Sequence, residues 1–257
     1  LLNKEAVIEL VKPFSDKRVG CVAGEKRVSA LEKDNASSGG EGIYWKYESF
    51  LKIYDSRLYS VVGAAGELYA IRRELFEELR PDTLLDDFQI SLSIAEKGYL
   101  VKYCRDAFAT ECGSLNIEEE RKRKIRISAG GLQAIIRMPQ LLNFSRHPLL
   151  TFQYISHRVL RWSITPVSFF LLLPLNIFLA VNPESLIFRS LLILQILFYL
   201  LAINGGLCRN RRIETNILFI PYYFFFMNFS VFQGLIYLIG MNKSKIGIWE
   251  KAKRKEN

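Results

Sequence analysis

Three long apolar runs without a charged residue limit what this chain can become. Residues 162–183, 190–208 and 215–242 are 22, 19 and 28 residues long, and roughly 20 apolar residues are enough to cross the hydrocarbon core of a bilayer. Three such runs in succession predict membrane spans, not buried helices of a soluble fold. Residues 1–130, by contrast, mix charged and apolar positions as a water-facing domain does. The 35 Lys+Arg outnumber 26 Asp+Glu for a net charge of +9. Beside membrane spans, that excess points to an anionic ligand or an anionic membrane face. No nucleic-acid module signature is visible, so no nucleic-acid partner is expected. The runs themselves hold no ionisable group, which counts against a transporter or channel. Cys21, Cys104, Cys112 and Cys208 are scattered, and His147 and His157 form no ligand cluster with them. Neither a zinc site nor a disulfide framework is expected, and the thiols read as reduced.

Basic residues set the expected orientation. Arg158 and Arg161 precede the first run, and Arg209, Arg211 and Arg212 follow the second. Two crossings leave both clusters on one side, the cytosolic side by the positive-inside rule. A third crossing would carry Lys243, Lys245 and Lys251 outward against that rule. A re-entrant third run, interrupted at Pro221, is one way out of the conflict.

Ahead of the membrane region the chain reads as short alternating elements. Ala6, Val7, Leu10 and Val11 have helical spacing up to Pro13, and residues 19–28 read as a strand. Residues 32–42, with Asp34-Asn-Ala-Ser-Ser-Gly-Gly, read as a loop, and residues 44–54 as an aromatic-rich helix. Its Trp45 and Tyr47 suit either core packing or stacking on a ring-shaped ligand. Residues 59–71 read as strand, turn, strand, with Gly63 and Gly66 allowing a close approach to the backbone. Residues 72–79 read as a short helix.

Next comes Leu84-Leu-Asp86-Asp87-Phe-Gln-Ile-Ser-Leu, a helix opened by paired carboxylates and closed at Gly98. Acids suit the positive start of a helix and glycine suits its end. Residues 99–103 follow as a strand. In Glu118 to Arg126, Lys122 and Arg126 lie four apart and Arg123 and Arg126 three apart, so each pair shares a helix face. Such a block is either a solvated surface or a clamp for a diphosphate, whose charge guanidinium groups neutralise with fixed geometry. Residues 132–160, broken at Pro139 and Pro148, read as two short amphipathic helices in the membrane interface.

In this order the features resemble the C-terminal half of a membrane-bound family 2 glycosyltransferase, the class of cellulose, chitin and hyaluronan synthases. The carriers are Val62-Gly-Ala-Ala-Gly66-Glu-Leu-Tyr-Ala-Ile-Arg-Arg73, Asp86-Asp87-Phe with Gly98-Tyr99, and Arg123-Lys124-Ile-Arg126-Ile127 with Gly130. The resemblance implies an α/β fold: the distal half of a GT-A, Rossmann-like nucleotide-sugar domain over residues 1–130. Interface helices over 131–161, two to three spans over 162–242 and a basic tail over 243–257 complete the implied organisation. It implies an inverting enzyme that moves a sugar from a nucleotide-sugar donor to a glycan or lipid-linked acceptor at the cytosolic face of the cell membrane. Asp87 then matches the catalytic base and Asp86 its acidic neighbour. Arg123, Lys124 and Arg126 match the diphosphate-binding motif, and Gly63, Gly66 and Trp45 fall near the acceptor.

Two departures bear on that reading. Ile127 stands where the motif has Trp, and Arg123 where it has Gln, which removes a flat face for sugar stacking and weakens the case for processive synthesis. The resemblance also implies a divalent cation, Mg or Mn, held by D-x-D, yet no D-x-D precedes Asp86. With the abrupt opening Leu-Leu-Asn-Lys-Glu, this leads to the expectation of a fragment or split gene product whose N-terminal half sits on a separate chain. The competing expectation is a non-catalytic, membrane-anchored remnant or scaffold.

Overall fold

The computed structural model describes residues 1–28, 36–111, 117–181, 186–210 and 219–244. A three-stranded mixed sheet lies at the centre of the first half. Strand β1 (Val19–Val28) sits in the middle, parallel to β3 (Leu100–Glu111) and antiparallel to the short β2 (Tyr69–Ile71). Helix α1 (Ala6–Val11) and helix α3 (Asp86–Glu96) cover opposite faces of it. Ala6 and Leu10 pack with Val19, Val22 and Leu100, whereas Leu92 and Ile94 pack with Cys21, Ala23 and Val101. Side chains alternate across a strand, so Val19 and Val22 share a face only because the register shifts between Val19 and Cys21. Gly20 sits at that irregularity, where a Cβ would come within 2.6 Å of Ile94.

Helix α3 begins one residue earlier than an Asp cap would require. Leu85 is its N-cap, with no side-chain cap bond, so Asp86 and Asp87 occupy the first turn, near the positive end of the helix dipole. It ends as expected at Gly98, whose φ is +91°. Gly98 N–H donates to Ala95 and Tyr99 N–H to Ile94, satisfying the last carbonyls.

Several expected boundaries shift. Ala36–Leu58 forms one helix, α2, so residues 36–42 are helical, and the rest of the expected loop (32–35) lies outside the described residues. Residues 59–68 are irregular backbone, not a strand, although Val61 N–H still donates to Val101. The helix expected over 72–79 is a single 3-10 turn, Arg73–Leu75.

Helix α4 (Ile117–Arg137) runs straight through Gly130 and Gly131. Those glycines are inside the helix because Leu85 and Trp162 press against them. A Cβ would sit 2.4 Å from Leu85 at Gly130 and 2.3 Å from Trp162 at Gly131.

The segment expected to lie in the interface as two amphipathic helices packs one side into the protein. It contains a 3-10 turn (Pro139–Leu142), α5 (Pro148–Tyr154), a π-helical turn (Ile155–Val159) and α6 (Leu160–Trp162). Leu141, Leu150 and Tyr154 are fully buried in the main core, while Phe144, Leu149 and Phe152 stay exposed.

Helix α7 (Ile164–Ala180) then turns away by 49° from the preceding helical segment. Helices α8 (Leu186–Asn210) and α9 (Phe219–Ser244) contain stretches long and apolar enough to cross a membrane, Leu186–Leu207 and Ile220–Met241. The α7 segment adds a third candidate if it and the helix before it count as one bent span. Pro221 does not interrupt α9. It falls in the first turn, where no intrahelical donor is lost.

Candidate active site

A cavity of about 700 Å³ opens where α3 begins. Its walls are the Gly63–Glu67 loop, Asp86 and Asp87 of α3, Arg123 and Arg126 of α4, Trp45, Glu48 and Lys52 of α2, and Arg158 of the π turn. Residues up to 117 positions apart in sequence meet there through few, specific ties. Ala64 N–H donates to Ser91 Oγ at 2.8 Å, fastening the glycine loop to α3. Gln133 Oε1 accepts from Leu84 N–H at 3.0 Å, and Arg126 Nε donates to the Leu84 carbonyl at 3.2 Å, fastening α4 to the residues before Asp86.

Asp87 is half-buried on the cavity wall. Burial pushes its carboxyl up from 3.8 to about 6, assisted by the charges of Asp86 and Glu67 and opposed by backbone N–H bonds from Phe88 and Gly66. Both glycines of the loop are required by space. A Cβ on Gly66 would stand 2.9 Å from Asp87 Oδ2; one on Gly63 would stand 2.2 Å from the Phe88 ring, in a backbone with φ of +91°.

Opposite lies a dense charge network. Glu48 bridges Arg158 (2.6 Å) and Arg161 (2.9 Å). Burial alone would raise the Glu48 pKa, but the two guanidinium groups outweigh it and hold the carboxyl well below its usual range. Burial also lowers the pKa of Lys52, one turn further along α2. Lys26 pairs with Glu67 and, at 2.9 Å, with Glu111. The Lys26 ammonium lies 4.8 Å from the centre of the Trp45 ring, and the Arg123 guanidinium 6.0 Å from it. Burial would raise the pKa of Glu67, yet Lys26 brings it down.

Of the residues singled out from sequence, Asp86, Asp87, Arg123, Arg126, Gly63, Gly66 and Trp45 all line this one cavity. Lys124 does not. It is one position, and so about 100°, round α4 from Arg123, and it lines a second cavity, 3.5 Å from Glu120 and over the Tyr223 ring. Sequence reading missed Glu48, Lys52, Glu67, Arg158 and Trp162. The i,i+4 pair Glu48/Lys52 and the i,i+3 pair Arg158/Arg161 were the available signals. Among the described residues no three His, Cys, Asp or Glu side chains are grouped to hold a metal ion. The described residues therefore offer no three-ligand set for the divalent cation that the resemblance implied.

The sequence profile of the family described as glycosyl transferase family group 2 matches residues 2–231. The chain belongs to that family. Among solved structures, this glycosyltransferase chain is similar to a mannosyltransferase from Pyrobaculum calidifontis, determined with GDP-Man and Mn2+. The two are 17% identical with a TM-score of 0.60, over 92% of this chain and 58% of the other. That likeness is one of fold, a mixed α/β arrangement of the GT-A kind, and the chain spans a little over half of the neighbour's length. No curated protein matches the sequence.

Proposed function

We propose that this chain forms the acceptor side of an inverting glycosyltransferase, with Asp87 as the base. The reading rests above all on one observation: a carboxyl poised at about 6 on a cavity wall shared with Arg123, Arg126 and Arg158. A base works best when its pKa lies close to the working pH. Asp87, once ionised, takes the proton of an acceptor hydroxyl as that oxygen attacks the sugar, while the nucleotide diphosphate departs on the opposite side. Arg123 and Arg126 offer fixed positive charge to the departing group, the role that matters most when charge develops in a partly dry site. Gly66 keeps the space beside Asp87 open to the acceptor. The Pyrobaculum neighbour's GDP-Man and Mn2+ support a nucleotide-sugar donor; no step on this chain is assigned to a metal. The likeness to polymer synthases extends to the order of motifs, and Ile127 in place of Trp favours single transfers over long-chain synthesis.

The membrane reading goes with this. Helices α7 and α8 cross as a hairpin: Asn176 bonds Gln195 between them at 3.1 Å, and Arg189 Nε reaches the Ala180 carbonyl at their far end. Helix α9, although apolar, lies along the cytosolic face. It packs on the start of α7, with Phe224 on Phe169 and Phe232 on Phe170, and on the second half of α8, with Phe224 on Phe198 and Phe225 on Tyr199. Near its beginning Tyr223 bonds Glu120 of α4, and near its end Leu238 and Met241 pack on Leu84 and Ala129. Contacts of both ends of α9 with the water-facing domain support a helix that lies at the membrane surface instead of crossing. This removes the conflict with the positive-inside rule. The direct test of the catalytic reading is Asp87→Asn in the full-length protein, which should insert and fold yet lose about 10²- to 10⁴-fold in transfer rate. Unchanged transfer would refute it.

A further inference from the structure

Helix α2 turns apolar side chains outward. Within residues 45–58 the exposed positions are Lys46, Tyr47, Phe50, Tyr54, Arg57 and Leu58. At about 100° per residue they share a single arc of about 120°. Its four apolar members are each more than half exposed. Their spacing of three and four residues draws a stripe about 16 Å long down one side of the helix. The Phe50 and Tyr54 rings meet with centroids 4.6 Å apart, and the Arg57 guanidinium lies 5.7 Å from the Tyr54 ring. No acid interrupts the arc. Glu48 and Asp55, the acids of this stretch, are buried on the opposite side, where they pair with Arg158, Arg161 and His157. A helix face solvated by water carries polar and charged side chains, and an apolar patch of this kind marks a contact surface.

The position of the stripe says what covers it. Tyr47, on the stripe, and Leu51, at its edge, line one cavity with Thr165 at the start of α7 and with Ile220 and Phe224 at the start of α9. Alongside, Gln153 Nε2 donates to Asp55 Oδ1 at 3.0 Å, tying α5 to α2, and α5 exposes Leu149 and Phe152.

We infer that α2 docks flat on the cytosolic leaflet through this arc, and that its partner is an anionic phospholipid surface. Tyr47, Phe50 and Tyr54 settle among the headgroups, the level at which amphipathic rings collect. Lys46 and Arg57, at one edge of the arc, meet the lipid phosphates. Two basic residues with no acid beside them select a negative surface over a neutral one. Trp45, Glu48 and Lys52, on the inner side of the same helix, line the catalytic cavity. Docking therefore holds that cavity about one helix diameter, roughly 10 Å, above the headgroups. The inference rests on the membrane reading of α7 and α8.

The test is the depth of a nitroxide label in the cysteine-free full chain, reconstituted in nanodiscs of phosphatidylcholine and phosphatidylglycerol. Collision with oxygen, which enriches in the bilayer, is compared with collision with a water-soluble nickel chelate. A label at Phe50→Cys should lie about 5–10 Å into the boundary between headgroups and acyl chains. A label at Ile193→Cys, exposed on α8, should lie in the hydrocarbon, and one at the exposed Glu77→Cys in water. Docking should respond about five-fold to each unit of charge near the leaflet. Lys46→Glu together with Arg57→Glu changes four units and should return the Phe50 label to water. With Ile193 in the hydrocarbon, a Phe50 label in water, or one shielded by protein from oxygen and chelate alike, overturns the docking. Insertion that persists through the charge reversal overturns the anionic partner. An Ile193 label in water overturns the membrane reading, and the inference with it.

Discussion

Replacing Asp87 with Asn should make the protein more stable at neutral pH, and the sign follows from its burial. The carboxyl titrates at 3.8 when exposed and at about 6 in the folded chain. Between those values the folded state holds a proton that the unfolded state has released, so stability falls as pH rises through the window. Above it the buried charge costs the full shift, roughly two units at 1.36 kcal/mol each, or about 3 kcal/mol. Below 3.8 the carboxyl is neutral in both states and the cost vanishes. Asn is neutral throughout, but its single oxygen keeps only part of the bonds from the Phe88 and Gly66 N–H groups. The expected gain at pH 7.5 is therefore about 1–3 kcal/mol, shrinking towards zero near pH 4. Glu48, depressed instead of raised, gives the opposite slope, yet it is common to both proteins and cancels in the difference. Thermal unfolding in mild detergent reads the effect at about 2–4 °C per kcal/mol for a chain of this size. A less stable Asn variant at pH 7.5, or a gap that does not depend on pH, would refute the reasoning. A confirmed gain would mark Asp87 as a residue kept at a cost to stability.

Other consequences can be checked alongside. Gly66→Ala places a methyl 2.9 Å from Asp87 Oδ2 in ordinary backbone, so it should displace the carboxylate and slow transfer about 10²-fold with little change in melting temperature. Gly63→Ala, which meets the Phe88 ring at 2.2 Å with φ of +91°, should instead destabilise the fold by about 2–3 kcal/mol, read by the same melting assay. Glu48→Ala leaves Arg158 and Arg161 without their shared carboxylate and should cost about 3–5 kcal/mol, measured by chemical denaturation. In a cysteine-free background of sealed, cytosol-in vesicles, Val181→Cys should react with an impermeant maleimide and Ser244→Cys should not. Labelling of both would mean that α9 crosses.

What could be read from residue order and what could not separate along physical lines. Strand β1 kept its expected bounds because valines among small residues are a local signal, and α3 kept its end because Gly98 alone tolerates a positive φ there. The assembly of Asp87, Gly66, Arg123 and Arg126 in one cavity was also anticipated, through the order of motifs. Gly39 and Gly40 in α2, and Gly130 and Gly131 in α4, misled in the same way. Helix propensity argues against each, and tertiary packing, visible at Leu85 and Trp162, overrides it for the second pair. Lys124 illustrates another limit: helical spacing groups Arg123 with Arg126, but only the neighbours on each side decide that Lys124 faces away. Arg158 and Arg161 read as membrane-flanking charge because their partner, Glu48, lies 110 or more positions earlier. The packing of α9 on α4 was illegible for a similar reason, since length and hydropathy do not reveal that α4 occupies one of its sides.

The pH dependence of kcat/KM for sugar transfer tests the central claim most directly. With Asp87 as the base, the rate should rise ten-fold per pH unit below about 6 and level off above it. Asp87→Asn should lack that limb as well as most of the rate. A wild-type profile that is flat from pH 5 to 8, or the same limb persisting in Asp87→Asn, would contradict the assignment.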